Sequence, residues 1–157
     1  MSLSYAGDEF FMAQALNAAR EAYEQDEVPV GAVIVHEQQI IARAHNQVET
    51  LKDPTAHAEM IAITQAVSTL NTKWLTDCTI YVTLEPCPMC AGALVLARLA
   101  RLVFAAEDPK AGACGTQMNL VNHKALNHRL AVEQGILRGE CSHILSDFFR
   151  LKRHIRN

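Results

Sequence analysis

Residues 78–98 of this 157-residue chain read CTIYVTLEPCPMCAGALVLAR. The first seven residues are rich in β-branched side chains and predict a buried strand, and the stretch from Pro86 to Arg98 predicts a helix directly behind it. Cys87 and Cys90 stand three positions apart where that helix begins, so both thiols can face one side of its first turn. The spacing alone is compatible with a redox pair, half of a structural zinc site or two ligands of a catalytic metal.

Further elements are predicted before this strand and helix. Residues 8–25 and 53–70 carry apolar side chains at helical spacing. The second of these helices is predicted to open with an Asp or Thr cap and a proline in its first turn. Two short β-rich runs between the helices, at 28–35 and 39–46, predict a hairpin.

The second half of the chain continues the alternation of strands and helices. Residues 101–107 predict a strand, residues 130–136 a short last strand, and residues from about Arg138 to Arg156 a C-terminal helix. Strands that alternate with helices after an opening hairpin are typical of a layered α/β domain with a mixed sheet. Because no repeat, linker or low-complexity segment divides the chain, we expect residues 1–157 to form one domain.

The composition is that of a globular protein, with 50% hydrophobic and 20% charged residues. Its apolar runs are far shorter than the roughly 20 residues that cross a bilayer, so we expect no membrane partner. Five cysteines without a secretion signal favour a reducing compartment over a disulfide framework. We therefore expect a cytoplasmic protein.

The charge of the chain is unevenly distributed. The net charge of −3 argues against a nucleic-acid partner, but the last eleven residues, DFFRLKRHIRN, carry four basic residues and one acidic residue beside two phenylalanines. Cations next to aromatic rings are typical of a surface that binds phosphates and stacks bases. The alternative is a solvated helix end, whose basic residues suit the C-terminal end of the helix dipole.

A third candidate metal ligand, His57, stands near the start of a predicted helix, as the two cysteines do. One histidine and two cysteines form a three-ligand zinc site that leaves the fourth tetrahedral position for water. Catalytic zinc sites keep that position open, whereas structural sites close it. The other three cysteines stand singly along the chain, and a zinc ribbon would need a second close pair. The pattern therefore favours a catalytic zinc site.

The two half-motifs, HAE at 57–59 and PCPMC at 86–90, together match the H-x-E…P-C-x-x-C signature of zinc nucleobase deaminases. In that chemistry zinc lowers the pKa of water toward 7, and the water attacks the ring carbon that bears the amine. A general acid–base group must then move the water's proton to the ring nitrogen and the leaving ammonia. Glu59 is the candidate for this role.

Beyond these motifs, the sequence resembles the bacterial tRNA adenosine deaminase family, in the zinc-dependent cytidine and deoxycytidylate deaminase superfamily, over roughly Asp8 to Arg153. The matching stretches are VPVGAV, AHN, DPTAHAE, YVTLEPCPMCAGA, DPKAGACGT, LNHR and LSDFFRLKR. The resemblance implies a cytidine deaminase-like α/β/α fold with three layers and a five-stranded mixed sheet. It also implies a homodimer with one Zn²⁺ per chain that converts the wobble adenosine of a tRNA anticodon to inosine.

The resemblance implies roles for residues at positions that match the family motifs. His57, Cys87 and Cys90 would hold zinc, and Glu59 would carry the proton. Asn46 would hydrogen-bond the flipped base and Val30 would line its pocket. The remaining implied contacts, with the anticodon stem-loop, are Asp108, Lys110, Asn127, His128, Phe149, Arg150 and Arg153.

Two other functions compete with this interpretation. A deaminase of a free base or nucleoside, of the guanine or cytosine type, would keep the metal ligands and Glu59 but would need no basic tail. A non-catalytic zinc-binding RNA module would leave Glu59 without a task and the fourth ligand position without a purpose. The sequence also departs from the family at Thr116, where serine is commoner.

Overall fold

The computed structural model describes residues 2–156, and of their side chains those of residues 7–154. Five strands form one mixed sheet in the order β2-β1-β3-β4-β5. Strand β1 pairs antiparallel with β2 and β3, whereas β3, β4 and β5 are parallel to one another. The strands are β1 Gly31–His36, β2 Gln39–His45, β3 Cys78–Leu84, β4 Arg101–Ala106 and β5 Ala131–Gln134.

Helices cover both faces of this sheet. They are α1 Ser2–Glu24, α2 Val48–Leu51, α3 Ala58–Leu70, α4 Pro88–Leu96 and α5 Arg138–Arg156. Residues of α3 and α4 form one hydrophobic cluster with the inward side chains of one sheet face, and α1 and α5 contribute to a second cluster on the other face. The predicted three-layer fold is therefore confirmed.

Alternation along the strands produces these two clusters. In β1, Ile34 joins the cluster of α3 and α4, while Val33 and Val35 join that of α1 and α5, because successive side chains of a strand point to opposite faces. Helix α1 approaches the sheet very closely at Gly31, where an added Cβ would lie 2.0 Å from the carbonyl oxygen of Ala15. Only glycine fits this contact.

The predicted hairpin is confirmed, and its turn is tight. The turn residues Glu37 and Gln38 both have positive φ, at 50° and 67°. Positive φ at both central residues is the type I′ geometry, which matches the right-handed twist of the flanking strands. No described helix has the length and apolar character that a membrane span requires.

The predicted start of the second long helix is wrong. Helix α3 begins at Ala58, with His57 as its N-cap residue, and not at Asp53 or Thr55. The carboxylate of Asp53 instead accepts hydrogen bonds from the backbone N–H and the hydroxyl of Thr55, at 2.8 and 2.7 Å. Such local bonds close a turn that competes with the helix.

Candidate active site

Four chain segments meet at one edge of the sheet. Gly31 at the start of β1 lies opposite His45 at the end of β2. Because β1 is antiparallel to β3, its start also lies beside the end of β3, and β4 ends next to β3 in parallel. The helices α3 and α4 both begin here, so two helix N-termini and the loops that precede them lie close together at this edge.

The three predicted metal ligands meet at these N-termini. His57 is the N-cap residue of α3 and Cys87 that of α4, with Cys90 one turn further along. The Nδ1 atom of His57 lies 3.6 Å from Sγ of Cys87 and 3.5 Å from Sγ of Cys90. A tetrahedral zinc ion with Zn–S of about 2.3 Å and Zn–N of about 2.0–2.1 Å would separate nitrogen from sulfur by about 3.6 Å. The donor set therefore fits zinc.

The electrostatics of this group favour a ligating thiolate. The hydrogen bonds that Cys87 shares with Cys90 and with His57 lower the pKa of its thiol to about 4, despite its partial burial. The hydrogen bond with Cys87 in turn raises the pKa of His57. Because a helix N-terminus carries partial positive charge, α4 adds to the stabilisation of a negative sulfur at its first turn.

A cavity of about 280 Å³ opens beside the ligands. Val30, Asn46 and Glu59 line it together with His57 and Cys87. Glu59 is 4% exposed, and burial raises the pKa of its carboxyl to about 7. The side-chain amide of Asn46 has no hydrogen-bond partner in the described part of the chain, so it remains free to bind a ligand. The structure thus brings the predicted ligands, proton carrier and base contacts together.

Glu27 is a cavity residue that the sequence analysis missed. It is fully buried, and its carboxylate accepts hydrogen bonds from the backbone N–H groups of Glu49 and Thr50, at 3.0 and 2.6 Å. These groups belong to the first turn of α2, so Glu27 caps that helix across 22 residues of chain. Burial works to raise the pKa of Glu27, but the bonds from Thr50 and Glu49 hold it below the ordinary value.

Glu85 is the second missed residue of the cavity wall. It is 2% exposed and accepts hydrogen bonds from the backbone N–H groups of Asp108, Cys114 and Thr116, at 3.1, 2.9 and 3.1 Å. The hydroxyl of Thr116 also donates to it. An added Cβ at Gly112 would lie 2.4 Å from its Oε1 atom, so only glycine admits the carboxylate there. The sequence signal that could have identified Glu85 is its position, since it is an acidic residue between the apolar strand β3 and the helix α4.

The loop after β4 carries two predicted contacts. Asp108 lines the cavity, and its Oδ1 atom accepts hydrogen bonds from the backbone N–H groups of Lys110 and Ala111, at 3.0 and 3.2 Å. This is an Asx turn, so one oxygen of the carboxylate is already engaged. Lys110 is exposed and lies outside the cavity.

The C-terminal helix reaches the same side of the molecule from the other face of the sheet. Nζ of Lys152 lies 2.5 Å from Asp26, the neighbour of Glu27 in the chain. Phe149 is 46% exposed and Arg153 is exposed. Arg150 donates to Asp147, so one predicted phosphate contact already has an anionic partner.

The contacts predicted for Asn127 and His128 lie outside the cavity. Nε2 of His128 lies 2.6 Å from the carbonyl oxygen of Leu99, which precedes β4 at the opposite edge of the sheet. Asn127 is exposed beside it. The other three cysteines are buried and free, and none of them belongs to the ligand group. They are Cys78, Cys114 and Cys141.

Comparisons with known proteins agree with this site. The profile of the MafB19-like deaminase family matches residues 7–153. The tRNA-specific adenosine deaminase of Aquifex aeolicus is 51% identical over 94% of this chain and 97% of its own length. That of Bacillus subtilis is 52% identical over 91% of this chain and 89% of its own length.

Solved structures give the same result. One from studies of A-to-I editing by tRNA:A34 deaminases superposes with a TM-score of 0.84 and 43% identity, covering 87% of this chain and 99% of that one. A guanine deaminase from Nitrosomonas europaea superposes with a TM-score of 0.78 and 25% identity, covering 89% and 83%. The chain is therefore a deaminase, and it belongs to the tRNA-specific adenosine deaminases within the MafB19-like deaminase family.

Proposed function

We propose that this protein hydrolyses the wobble adenosine of a tRNA anticodon to inosine in the cytoplasm. One observation carries the proposal: a His-Cys-Cys group and a buried glutamate lie beside one small cavity in a chain half identical to tRNA-specific adenosine deaminases. A binding module would have no use for the buried Glu59 beside an open ligand position.

His57, Cys87 and Cys90 would hold one zinc ion per chain. When bound, zinc supplies a nucleophile at neutral pH, because it lowers the pKa of water from 15.7 toward about 7. The chain's own part is to fix the three ligands at two helix N-termini, where their separations suit tetrahedral coordination.

Glu59 would carry the proton that the reaction moves. Its carboxylate would carry one proton of the attacking water to the ring nitrogen, where it stays in inosine. It would then carry the proton of the new C6 hydroxyl to the amine, so that the C–N bond breaks, C6 becomes a carbonyl carbon and ammonia leaves. Burial in the first turn of α3 keeps bulk water from competing for this proton.

The cavity would admit one base and hold the rest of the RNA outside. Its volume of about 280 Å³ lies just below the usual range of about 300–1,000 Å³ for small-molecule pockets. The adenosine must therefore leave its stack to enter. Asn46 would hydrogen-bond the base edge while Val30 packs on its ring.

The RNA outside the cavity would meet the loop after β4 and the C-terminal helix. Lys110 and Arg153 offer exposed cations to phosphates, and Phe149 offers an exposed ring to a neighbouring base. Arg150 would have to share its guanidinium between Asp147 and a phosphate. Asp108 and Asn127 would hydrogen-bond sugar or base groups.

We also propose that the protein is a homodimer that packs through the outer face of α4. That helix is apolar on all sides, which is typical of a helix buried on all sides. Its outward residues are Met89, Gly92, Ala93 and Leu96. Leu96 is 80% exposed, and an added Cβ at Gly92 meets nothing within 4 Å. A second copy that presents the same face would cover this surface symmetrically.

A deaminase of free guanine is the second candidate. Guanine deaminases share the fold, and that of Bacillus subtilis is 43% identical over 69% of this chain, with a TM-score of 0.62. The tRNA-specific relatives are 51% and 52% identical over about nine-tenths of the chain, whereas the guanine deaminase of Nitrosomonas europaea is 25% identical over 89% of it. That difference in identity favours the tRNA substrate.

Incubation of the protein with total tRNA, followed by inosine mapping, tests the proposal. We expect inosine at the wobble position of one or more tRNAs with the wild type. The Glu59→Ala variant should keep its zinc and fold but lose about 10²–10⁴-fold in rate, since a general acid–base group contributes that much. Wild-type protein with bound zinc that forms no inosine in any tRNA would overturn it.

A further inference from the structure

Two cations and an indole ring, exposed Lys73, half-buried Arg98 and exposed Trp74, form a surface cluster at the far end of α4 from the cavity. Nζ of Lys73 lies 4.7 Å from the ring centroid of Trp74, and Cζ of Arg98 lies 5.0 Å from it. Trp74 is 45% exposed. Cation–π contacts of this kind hold the two positive groups side by side on the surface.

A second basic segment, residues 122–129 (NHKALNHR), lies next to this cluster. It contains Lys124 and Arg129, both exposed, and no acidic residue. The chain just before β4, residues 97–100, connects the two basic regions. The bonds that do so are Leu75 N to Ala97 O at 2.7 Å, His128 Nε2 to Leu99 O at 2.6 Å, and Ala131 N to Ala100 O at 3.0 Å.

We call the four cations Lys73, Arg98, Lys124 and Arg129 the basic rim. Among the described side chains, none of the four forms an ion pair. Asp77 is the one acidic residue in the segments 71–77, 97–100 and 122–129. The rim is therefore locally positive on a chain of net charge −3, and its cations are free to bind anions.

The backbone at Arg98 supplies a separate argument. Helix α4 ends just before it, and Arg98 has φ of 59°. A left-handed residue directly after a helix is usually glycine, because a Cβ costs free energy in that conformation. Strained positions of this kind are often retained for function. Glycine would adopt this conformation at lower cost, whereas the guanidinium of Arg98 lies against the exposed Trp74 ring.

We propose that the basic rim binds the sugar–phosphate backbone of the substrate tRNA outside the nucleotide that enters the cavity, which rests on the proposed function. Nine residues separate Cys87 from Leu96 at the other end of α4. At a rise of about 1.5 Å per residue this is about 14 Å, or roughly four nucleotides at about 3.4 Å along one strand. A few nucleotides outside the cavity are therefore long enough to span the distance between the start of α4 and Arg98, just beyond its other end.

The test uses the double variant Lys73→Ala, Arg98→Gly. Because binding weakens as salt rises, the slope of log kcat/KM against log salt concentration is negative. Each phosphate contact that is lost should make this slope less steep by about 0.7–0.9. For two contacts, kcat/KM on tRNA should fall roughly 25- to 60-fold at about 0.1 M salt, with kcat unchanged. Lys124→Ala with Arg129→Ala should reduce the slope in the same way.

The matched control is Arg20→Ala with Arg43→Ala, which removes two exposed cations elsewhere, one of them paired with Glu21. It should leave the slope unchanged. A melting temperature for Arg98→Gly at or above that of the wild type would show that the loss of kcat/KM is not a loss of stability.

Three results would overturn the inference. The first is a rim variant with wild-type kcat/KM and salt slope. The second is an equal loss in the control, which would assign the effect to net charge. The third is conversion of the rim variant to monomer, which would place the rim in a subunit interface. A fourth result, a wild type that forms no inosine, would contradict the proposed function itself. It can be told apart from the other three because it concerns the wild type and not the variants.

Discussion

At the scale of single residues, the His-Cys-Cys group was predictable because the chemistry of a zinc site restricts both residue type and position. Zinc is held by only a few residue types, and the three candidate ligands stand at predicted helix starts, so a short motif identifies them. They are His57, Cys87 and Cys90. Glu27 and Glu85 were not predictable in this way. Their partners are backbone N–H groups far along the chain, and any residue type except proline supplies such a group.

The first prediction at this scale concerns the metal. Gently purified protein should contain one zinc per chain, and His57→Ala or Cys87→Ala should lose it, because two ligands do not retain zinc as three do. Elemental analysis is the measurement. Cys141→Ala is the control, because this buried cysteine lies outside the ligand group. Zinc-free active protein, or a disulfide between Cys87 and Cys90 in the active form, would contradict the assignment.

A second residue-scale prediction concerns Glu85. In Glu85→Gln, the NH2 group that replaces one carboxylate oxygen would face two donors, either the N–H groups of Cys114 and Thr116 or the N–H of Asp108 and the Thr116 hydroxyl. Unsatisfied buried groups cost about 1–3 kcal/mol each. We expect a lower melting temperature than that of the wild type. We also expect kcat/KM on tRNA to fall by a larger factor than the zinc content.

Thr116→Ser is the matched control for Glu85, because serine keeps the hydroxyl that donates to the carboxylate. It should behave as the wild type in both measurements. If Glu85→Gln had an unchanged melting temperature and unchanged kcat/KM, the loop that carries Asp108 would not depend on this carboxylate.

At the scale of helices and strands, the residue pattern within an element predicted its type correctly. It did not predict boundaries that depend on contacts outside the repeating pattern. Strand β3 was predicted at its observed bounds, because β-branched residues fill a buried strand. The start of α3 was misplaced, since the local turn of Asp53 overrides the helical pattern. Helix α2 was missed altogether. It has four residues, and its cap is Glu27, which lies outside its sequence.

The prediction at this scale concerns how α1 is fastened to the sheet. Asp8 accepts hydrogen bonds from Arg101 at 2.8 and 2.7 Å and from the Tyr81 hydroxyl at 2.6 Å. Burial tends to raise the pKa of the Asp8 carboxyl, but these hydrogen bonds hold it below its ordinary value. Asp8→Asn should therefore cost about 1.5–3 kcal/mol of unfolding free energy near pH 7, as bonds to charged groups do.

The pH dependence of this stabilisation follows from the direction of the shift. A carboxyl with a lowered pKa in the folded state stabilises the fold above its unfolded pKa, near 4, and loses that contribution as the pH falls through the folded value. The gap in unfolding free energy between wild type and Asp8→Asn should narrow below about pH 4. Denaturant titrations at several pH values measure it, and a gap that widens toward acid would contradict the role of Asp8.

At the scale of the whole molecule, the order of the elements accounts for the site. Antiparallel β1 and β2 and parallel β3 and β4 bring one strand start and three strand ends to the same edge. The sequence predicted a mixed sheet. It did not predict the order of the strands, because that order depends on how the helices pack on the two faces of the sheet. Motif residues 30 positions apart, such as His57 and Cys87, meet only because of this topology.

The outer face of α4 carries the prediction about assembly. Leu96→Glu places a charge at the most exposed apolar residue of that face. We expect it to shift the protein from dimer to monomer, since a buried unpaired charge strongly disfavours an interface. Sedimentation velocity is the measurement, with Leu51→Glu as the control at an exposed leucine of α2. A Leu96→Glu variant that remains as dimeric as the wild type would place the interface elsewhere.

The most direct test of the central claim is ammonia release by the zinc-loaded protein from four substrates. They are a tRNA with adenosine at the wobble position, its isolated anticodon stem-loop, free adenosine and free guanine. We expect release from both RNAs, with one ammonia for each inosine formed at the wobble position, and little from the free compounds. Rapid release from guanine or adenosine, with none from either RNA, would contradict it.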